Sequence, residues 1–163
     1  MASYDEEVGV EEVVESTSGA STLDFFLGAD PEQALTKDVM VKRLGLVFTL
    51  RSISDEAIQT CMKRSEKRQT KAEKQRGVAP ERDMGRMESL VLVEAVQSMK
   101  KDLGDGNYAE PVTLQDEALL SKWGPRPEDV INTWLLPGEK SQLTEVVTDL
   151  AGYETDAIVE AGN

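Results

Sequence analysis

The sequence predicts a mainly α-helical α+β domain that carries one β-hairpin. Three observations support this class. From about residue 54 onward, apolar residues recur mostly at helical spacing, whereas residues 36–51 alternate with a period of two around Gly45. Gly-Pro and Pro-Gly pairs then divide the last third into short helical segments. The chain has 163 residues, which is enough for one ordinary domain.

Acidic residues dominate both ends of the chain. Residues 1–21 contain six acids and no base, so we expect a disordered acidic arm there. We expect residues 154–163 to form a loose acidic tail. The folded domain is therefore predicted to span residues 22–153. Its first element is a short helix that contains Phe25 and Phe26, which form either a docking turn or an ordinary core turn.

The hairpin is predicted over residues 36–51. Val39 and Val41 alternate with Met40 and Lys42 in the first strand, and in the second strand the alternating residues are Leu46, Phe48 and Leu50 against Val47, Thr49 and Arg51. A two-stranded ribbon is only marginally stable in water, so one of its faces must pack on helices.

Helices account for the rest of the domain. Ser54 is a good N-cap for a helix over about 54–76, whose apolar stripe is lost after residue 65. A helix over 80–101 has Pro80 at its first position and is apolar on nearly every side at Leu90–Val93, so we expect it to be the most buried. Three short helices complete the prediction, over 115–123, 127–136 and 138–151.

Composition excludes several classes of function. The chain has 31 acidic and 18 basic residues, a net charge of −13, no histidine and one cysteine. Histidine-dependent catalysis, histidine-ligated zinc and an intramolecular disulfide are therefore excluded. No apolar run approaches the roughly 20 residues of a membrane span, and the acidic charge opposes binding to nucleic acid. We expect no enzyme activity, no cofactor, no metal and no membrane contact.

The residues with potential chemistry each have a simpler interpretation. Acid pairs such as Asp55–Glu56 stand at predicted helix starts, where they compensate the helix dipole. Cys61 lies on the apolar stripe of its helix and is interpreted as a small buried hydrophobe. Residues 104–107 have the glycine and aspartate of a calcium loop but lack its later acidic ligands, which favours a plain turn.

A basic run stands out in this acidic chain. Residues 63–76 carry a net charge of +5. They form a solvated helix end or linker, a patch complementary to an acidic face of another copy or of a partner, or a nucleic-acid contact. The last is least favoured because the rest of the chain is acidic and the run has no aromatic residue to stack on bases. The candidate residues are Lys63, Arg64, Lys67, Arg68, Lys71, Lys74 and Arg76.

Four segments occur in an order that resembles a known family. They are Asp24–Leu27, Phe48–Glu56, the segment from Leu114 to Gly124, and Leu135–Glu139 with its close at Leu150–Tyr153. This arrangement resembles the phage tail assembly chaperones of the XkdN type, found in tailed phages and prophages. The resemblance covers about residues 22–153.

The resemblance implies a non-catalytic helper of tail tube assembly. Such a protein would bind and shield the tape measure protein in the cytoplasm of the host bacterium, in several copies along it, and would be absent from the mature virion. Separately, the oppositely charged segments of the chain lead us to expect self-association. A frameshift-extended form would add the tail tube protein as a further partner. Alternatives that we weigh are a structural component retained in the tail or in a related contractile or injection particle, and an acidic DNA mimic.

Amphipathic helices of a tape measure protein would dock on exposed apolar surface. Core packing is the alternative interpretation for the two tryptophans. The candidate partner-binding residues are Phe25, Phe26, Trp123, Trp134, Leu135, Leu136, Pro137 and Gly138.

Overall fold

The computed structural model describes residues 21–30 and 35–153, together with residues 158, 160 and 161. The chain divides into two compact units, Met1–Gln33 and Ala34–Asn163. Apart from residue 21 and the three isolated positions, the acidic arm and the acidic tail lie outside the described residues.

The first unit contains helix α1 (Thr22–Gly28). The Ser21 hydroxyl accepts a hydrogen bond from the Asp24 N–H at 3.3 Å and thereby caps the helix. All seven helical residues are exposed, and the rings of Phe25 and Phe26 meet edge to face at 5.4 Å.

The second unit is built on a four-stranded antiparallel sheet with strand order β1-β2-β3-β4. Strands β1 (Thr36–Val41) and β2 (Leu46–Arg51) form a hairpin within the range predicted for it. Strands β3 (Val96–Gly104) and β4 (Asn107–Tyr108) extend this hairpin to four strands. The α+β class is therefore confirmed, with a larger sheet than the sequence predicted.

The predicted helix over 80–101 is wrong at both ends. Helix α4 begins at Met84 and ends at Ala95, and the chain then continues directly into β3, where Met99 pairs with Phe48. The buried apolar residues of β3, Val96 and Met99, are three positions apart, a spacing that also fits a helix, so periodicity does not locate the change from helix to strand. The edge of β2 opposite β1 needs a partner, and β3 supplies it.

The predicted helix over 54–76 is also divided. Helix α2 (Asp55–Arg64) and the five-residue helix α3 (Lys71–Gln75) are separated by residues 65–70, which are not helical. The backbone of this break pairs with a later segment, because the Asp83 N–H donates to the Ser65 carbonyl at 2.8 Å. Hydrogen bonds to this later segment replace the helical hydrogen bonds at the break. The local sequence does not reveal such a partner.

Three helices and a turn complete the unit. They are α5 (Glu117–Trp123), α6 (Pro127–Trp134) and α7 (Pro137–Thr148), followed by a π-helical turn over Asp149–Tyr153. Helix α6 ends two residues before the predicted position 136. Leu135 and Leu136 are extended, and for Leu136 this is expected because it directly precedes Pro137.

The core lies between the sheet and the helices. Helix α4 packs against α2, α6 and α7, and its Leu90, Val91 and Leu92 are buried as expected. No helix in the described parts of the chain is long and apolar enough to cross a membrane. The largest side chains with almost no exposure are Phe48, Leu50, Leu92, Leu114, Ile131 and Val147.

Candidate partner-binding site

An apolar groove of about 310 Å³ lies between the sheet and helices α5 and α6. Phe48 and Met99 line its sheet side, and the side chains of Trp123 and Trp134 line its helical side. Of the 14 lining residues, only Lys101 and Glu110 are charged. The groove therefore offers an apolar surface on which little polar recognition is possible.

The two tryptophans end consecutive helices and contact each other. Trp123 is the last residue of α5, Gly124 follows with φ 139° and ψ 150°, and α6 ends at Trp134. The indole rings contact edge to face, with centroids 5.1 Å apart and an interplanar angle of 78°. Trp134 keeps 40% of its surface exposed. Neither core packing alone nor full exposure describes this pair, since Trp134 both packs and faces solvent.

The segment after β4 closes one side of the groove. Met99 and Val112 exchange both backbone hydrogen bonds at 2.8 Å, so this segment runs along the outer edge of β3. Leu114 then inserts fully into the core. This pairing covers a sheet edge that would otherwise present unpaired backbone groups.

The structure separates the residues predicted from the Leu-Leu-Pro-Gly segment. Leu135 is 5% exposed and lines the groove, whereas Leu136 is 53% exposed and is not part of the lining. Pro137 and Gly138 are exposed in the first turn of α7. Within this segment, only Leu135 belongs to the groove.

A salt bridge holds this corner of the molecule together. Arg43, in the turn between β1 and β2, donates to the two carboxylate oxygens of Glu139 at 3.1 and 2.8 Å, and to the carbonyl of Trp134 at 2.7 Å. The Glu139 carboxylate also accepts the Leu136 N–H at 2.8 Å. These hydrogen bonds lower the pKa of Glu139, with the bond from Arg43 contributing most.

The Arg43–Glu139 pair accounts for the Pro-Gly-Glu part of the motif in structural terms. It joins the start of α7 to the hairpin and fixes the end of α6, from which Trp134 projects. Sequence reasoning did not find Arg43, because nothing in a single base within a turn indicates a partner 96 residues away.

The remaining predicted residues lie elsewhere. Phe25 and Phe26 belong to the first unit and are 66% and 69% exposed. The seven bases of residues 63–76 are all exposed, around and within α3. Cys61 is 2% exposed, and burial raises the pKa of its thiol, which agrees with its interpretation as a buried hydrophobe.

One polar cluster places a serine beside a lysine. The Lys140 ammonium donates to the Ser89 hydroxyl at 3.2 Å and to the Asn132 side-chain oxygen at 3.1 Å. Ser89 has no exposed surface, so its hydroxyl cannot meet a substrate without a structural change. The cluster therefore links α4, α6 and α7. The described residues also contain no group of three or more acidic or cysteine side chains that could hold a metal ion.

The fold and the groove define a small α+β protein with an open apolar surface. The chain belongs to the phage XkdN-like tail assembly chaperone (TAC) family, whose sequence pattern matches residues 23–161. The family prediction is thus confirmed. No curated protein and no solved structure matches the chain.

Proposed function

We propose that the chain binds and shields the tape measure protein during assembly of the tail tube, without catalysing a reaction. The observation that carries this proposal is the apolar groove at which Trp123 and Trp134 meet. Membership of a family of tail assembly chaperones supports the assembly role.

The groove suits anchor side chains from an amphipathic helix. Its volume of about 310 Å³ is at the low end of the range for ligand pockets, so it takes a few apolar side chains rather than a whole helix. Trp134 is suited to contact such anchors because it is partly exposed while its position is fixed by Trp123 and by the bond from Arg43. Partly exposed, well-supported tryptophans commonly dominate binding energy.

Temporary cover explains why assembly would need this protein. Apolar faces of a long helical protein associate with one another unless they are covered. A net charge of −13 on each bound copy would keep the complex soluble by mutual repulsion. Under this proposal the chain acts in the cytoplasm of the host bacterium and leaves as the tail tube polymerises.

The test is co-expression with the tape measure protein of the same genome. We expect the native chain to keep that protein soluble and to co-purify with it. Trp134→Ala should weaken the complex by about 30-fold, the loss expected for a binding hot spot of ~2 kcal/mol. Leu136→Ala is the matched control, because Leu136 is exposed and apolar and lies just beyond Trp134 but outside the groove.

The outcomes separate the function from the site. If no complex co-purifies and the tape measure protein is equally soluble without the chain, the chaperone function is wrong. If the complex forms and Trp134→Ala binds like the native chain, the groove is not the docking site. Stoichiometric presence of the chain in purified particles would instead support a component retained in the tail.

A further inference from the structure

We propose that the basic loop, defined as residues 63–76, docks the acidic N-terminal segment of a second copy of this chain. The segment in question is residues 5–15. This inference is independent of what the apolar groove binds, because the groove lining contains no residue of the basic loop.

The basic loop is a folded structure and not a linker. Its base is closed by backbone hydrogen bonds from Lys67 N–H to the Glu81 carbonyl at 2.7 Å and from Asp83 N–H to the Ser65 carbonyl at 2.8 Å. Within the loop, Thr70 and Glu73 form a reciprocal capping box with both bonds at 3.2 Å. The basic side chains are therefore held on an ordered backbone, which lowers the entropic cost of binding.

The charge of the basic loop is largely uncompensated. It contains seven bases and two acids, and among the described residues the only ion pair of these bases is Lys67 with Glu81 at 3.3 Å. One of the two acids, Glu73, is engaged in the capping box. The five residues of α3 span only about 7.5 Å, which is within a Debye length at physiological salt. The bases on and around α3 therefore act together on an approaching anion.

The complementary partner is present in the same sequence. Residues 5–15 contain six acids and no base, which matches the net charge of +5 on the loop. Two chains of net charge −13 repel each other unless such opposite segments meet. A polypeptide is favoured over a nucleic acid, because the loop offers no aromatic side chain on which bases could stack. Residues 154–163 are a weaker match, since they contain three acids.

The experiment is a charge swap on the full-length chain, read by analytical ultracentrifugation. The loop variant is Lys71→Glu with Lys74→Glu, and the arm variant is Glu11→Lys with Glu12→Lys. We expect the native chain to self-associate, and more weakly as NaCl rises from about 50 to 500 mM. Each variant alone should associate at least about tenfold more weakly, and an equimolar mixture of the two should regain a complex.

A matched control separates the effect of changing the basic loop from the effect of changing the net charge of the chain. Lys37→Glu with Lys42→Glu gives the same net charge as the loop variant, and both lysines are exposed and outside the loop. We expect this control to associate much more strongly than the loop variant. Because glutamate at position 74 opposes the dipole of α3, Lys71→Gln with Lys74→Gln provides a second loop variant that should also weaken association.

Three results would each overturn the proposal. The first is a native chain that stays monomeric at low salt over the whole accessible concentration range. The second is a mixture of loop and arm variants that does not associate. The third is that the full-length chain binds a single-stranded oligonucleotide more tightly than it binds a peptide of residues 1–21.

Discussion

Replacing Gly124 by alanine tests the turn that joins the two helices ending in Trp123 and Trp134. Gly124 has φ 139° and ψ 150°, a backbone conformation available almost only to glycine. An added Cβ would lie 2.3 Å from the Cβ of Asp129 and 2.8 Å from one of its carboxylate oxygens. That carboxylate caps the start of α6 by accepting the Arg126 N–H at 3.1 Å. The substitution therefore strains the backbone and displaces the cap at the same time.

The expected cost follows from these two effects. Backbone strain contributes about 1–3 kcal/mol, and the forced displacement of Asp129 adds about 1–3 kcal/mol. The reduced freedom of the unfolded chain offsets about 0.4–1 kcal/mol. A net destabilisation of about 3 kcal/mol lowers the melting temperature of a chain of this size by about 6–12 °C.

Thermal melts followed by circular dichroism provide the assay, with Gly77→Ala as the control. Gly77 has φ 71° but no atom within 4 Å of an added Cβ, so this variant should lose about 1 kcal/mol or less. The near-UV signal of the tryptophan pair should also decrease in Gly124→Ala alone. If the two variants melt within about 2 °C of each other, the argument from the Gly124 turn is refuted.

Three further predictions concern the corner at Glu139, the buried thiol and the start of α7. Because Arg43 lowers the pKa of Glu139, the ionised pair stabilises the fold at neutral pH, and this stabilisation is lost as pH falls through the lowered pKa. Glu139→Gln should therefore melt below the native chain at neutral pH, and the gap should close only below the usual pKa range of a glutamate carboxyl; a gap that stays constant with pH would contradict this. Cys61 should react with a thiol reagent at least about 100-fold more slowly in the native chain than in urea, and equal rates would show that it is accessible. Gly138→Ala should stabilise the chain by about 0.4–1 kcal/mol in urea titrations, because Gly138 is helical and an added Cβ meets no atom within 4 Å. A loss of stability would contradict this geometry.

The fold was predictable wherever local sequence carries a distinct signal. Alternation identified the hairpin, and proline or a capping residue marked the starts of α2, α6 and α7. Prediction failed at Val96, where the chain changes from helix to strand while its buried residues Val96 and Met99 keep a helical spacing. Only the free edge of β2 determines that this segment pairs as a strand, and a free edge is a property of the assembled sheet.

The candidate site was predictable in part. The sequence indicated that Trp123, Trp134 and Leu135 were suitable for a partner, and the structure places all three in one groove. It did not indicate that Leu136 would lie outside the groove. Leu135 and Leu136 are extended, and successive side chains of an extended chain point to opposite sides. Arg43 was missed altogether, because its partners are far away along the chain.

By itself, the sequence determined the α+β class, the family and the segregation of charge, since these depend on composition, period and order of segments. The tertiary structure alone decided where the groove opens, how Trp134 is held and that the basic run forms a closed loop. The physical reason is the same in each case. These features depend on hydrogen bonds and packing between residues that are distant in sequence, and such contacts leave no local pattern.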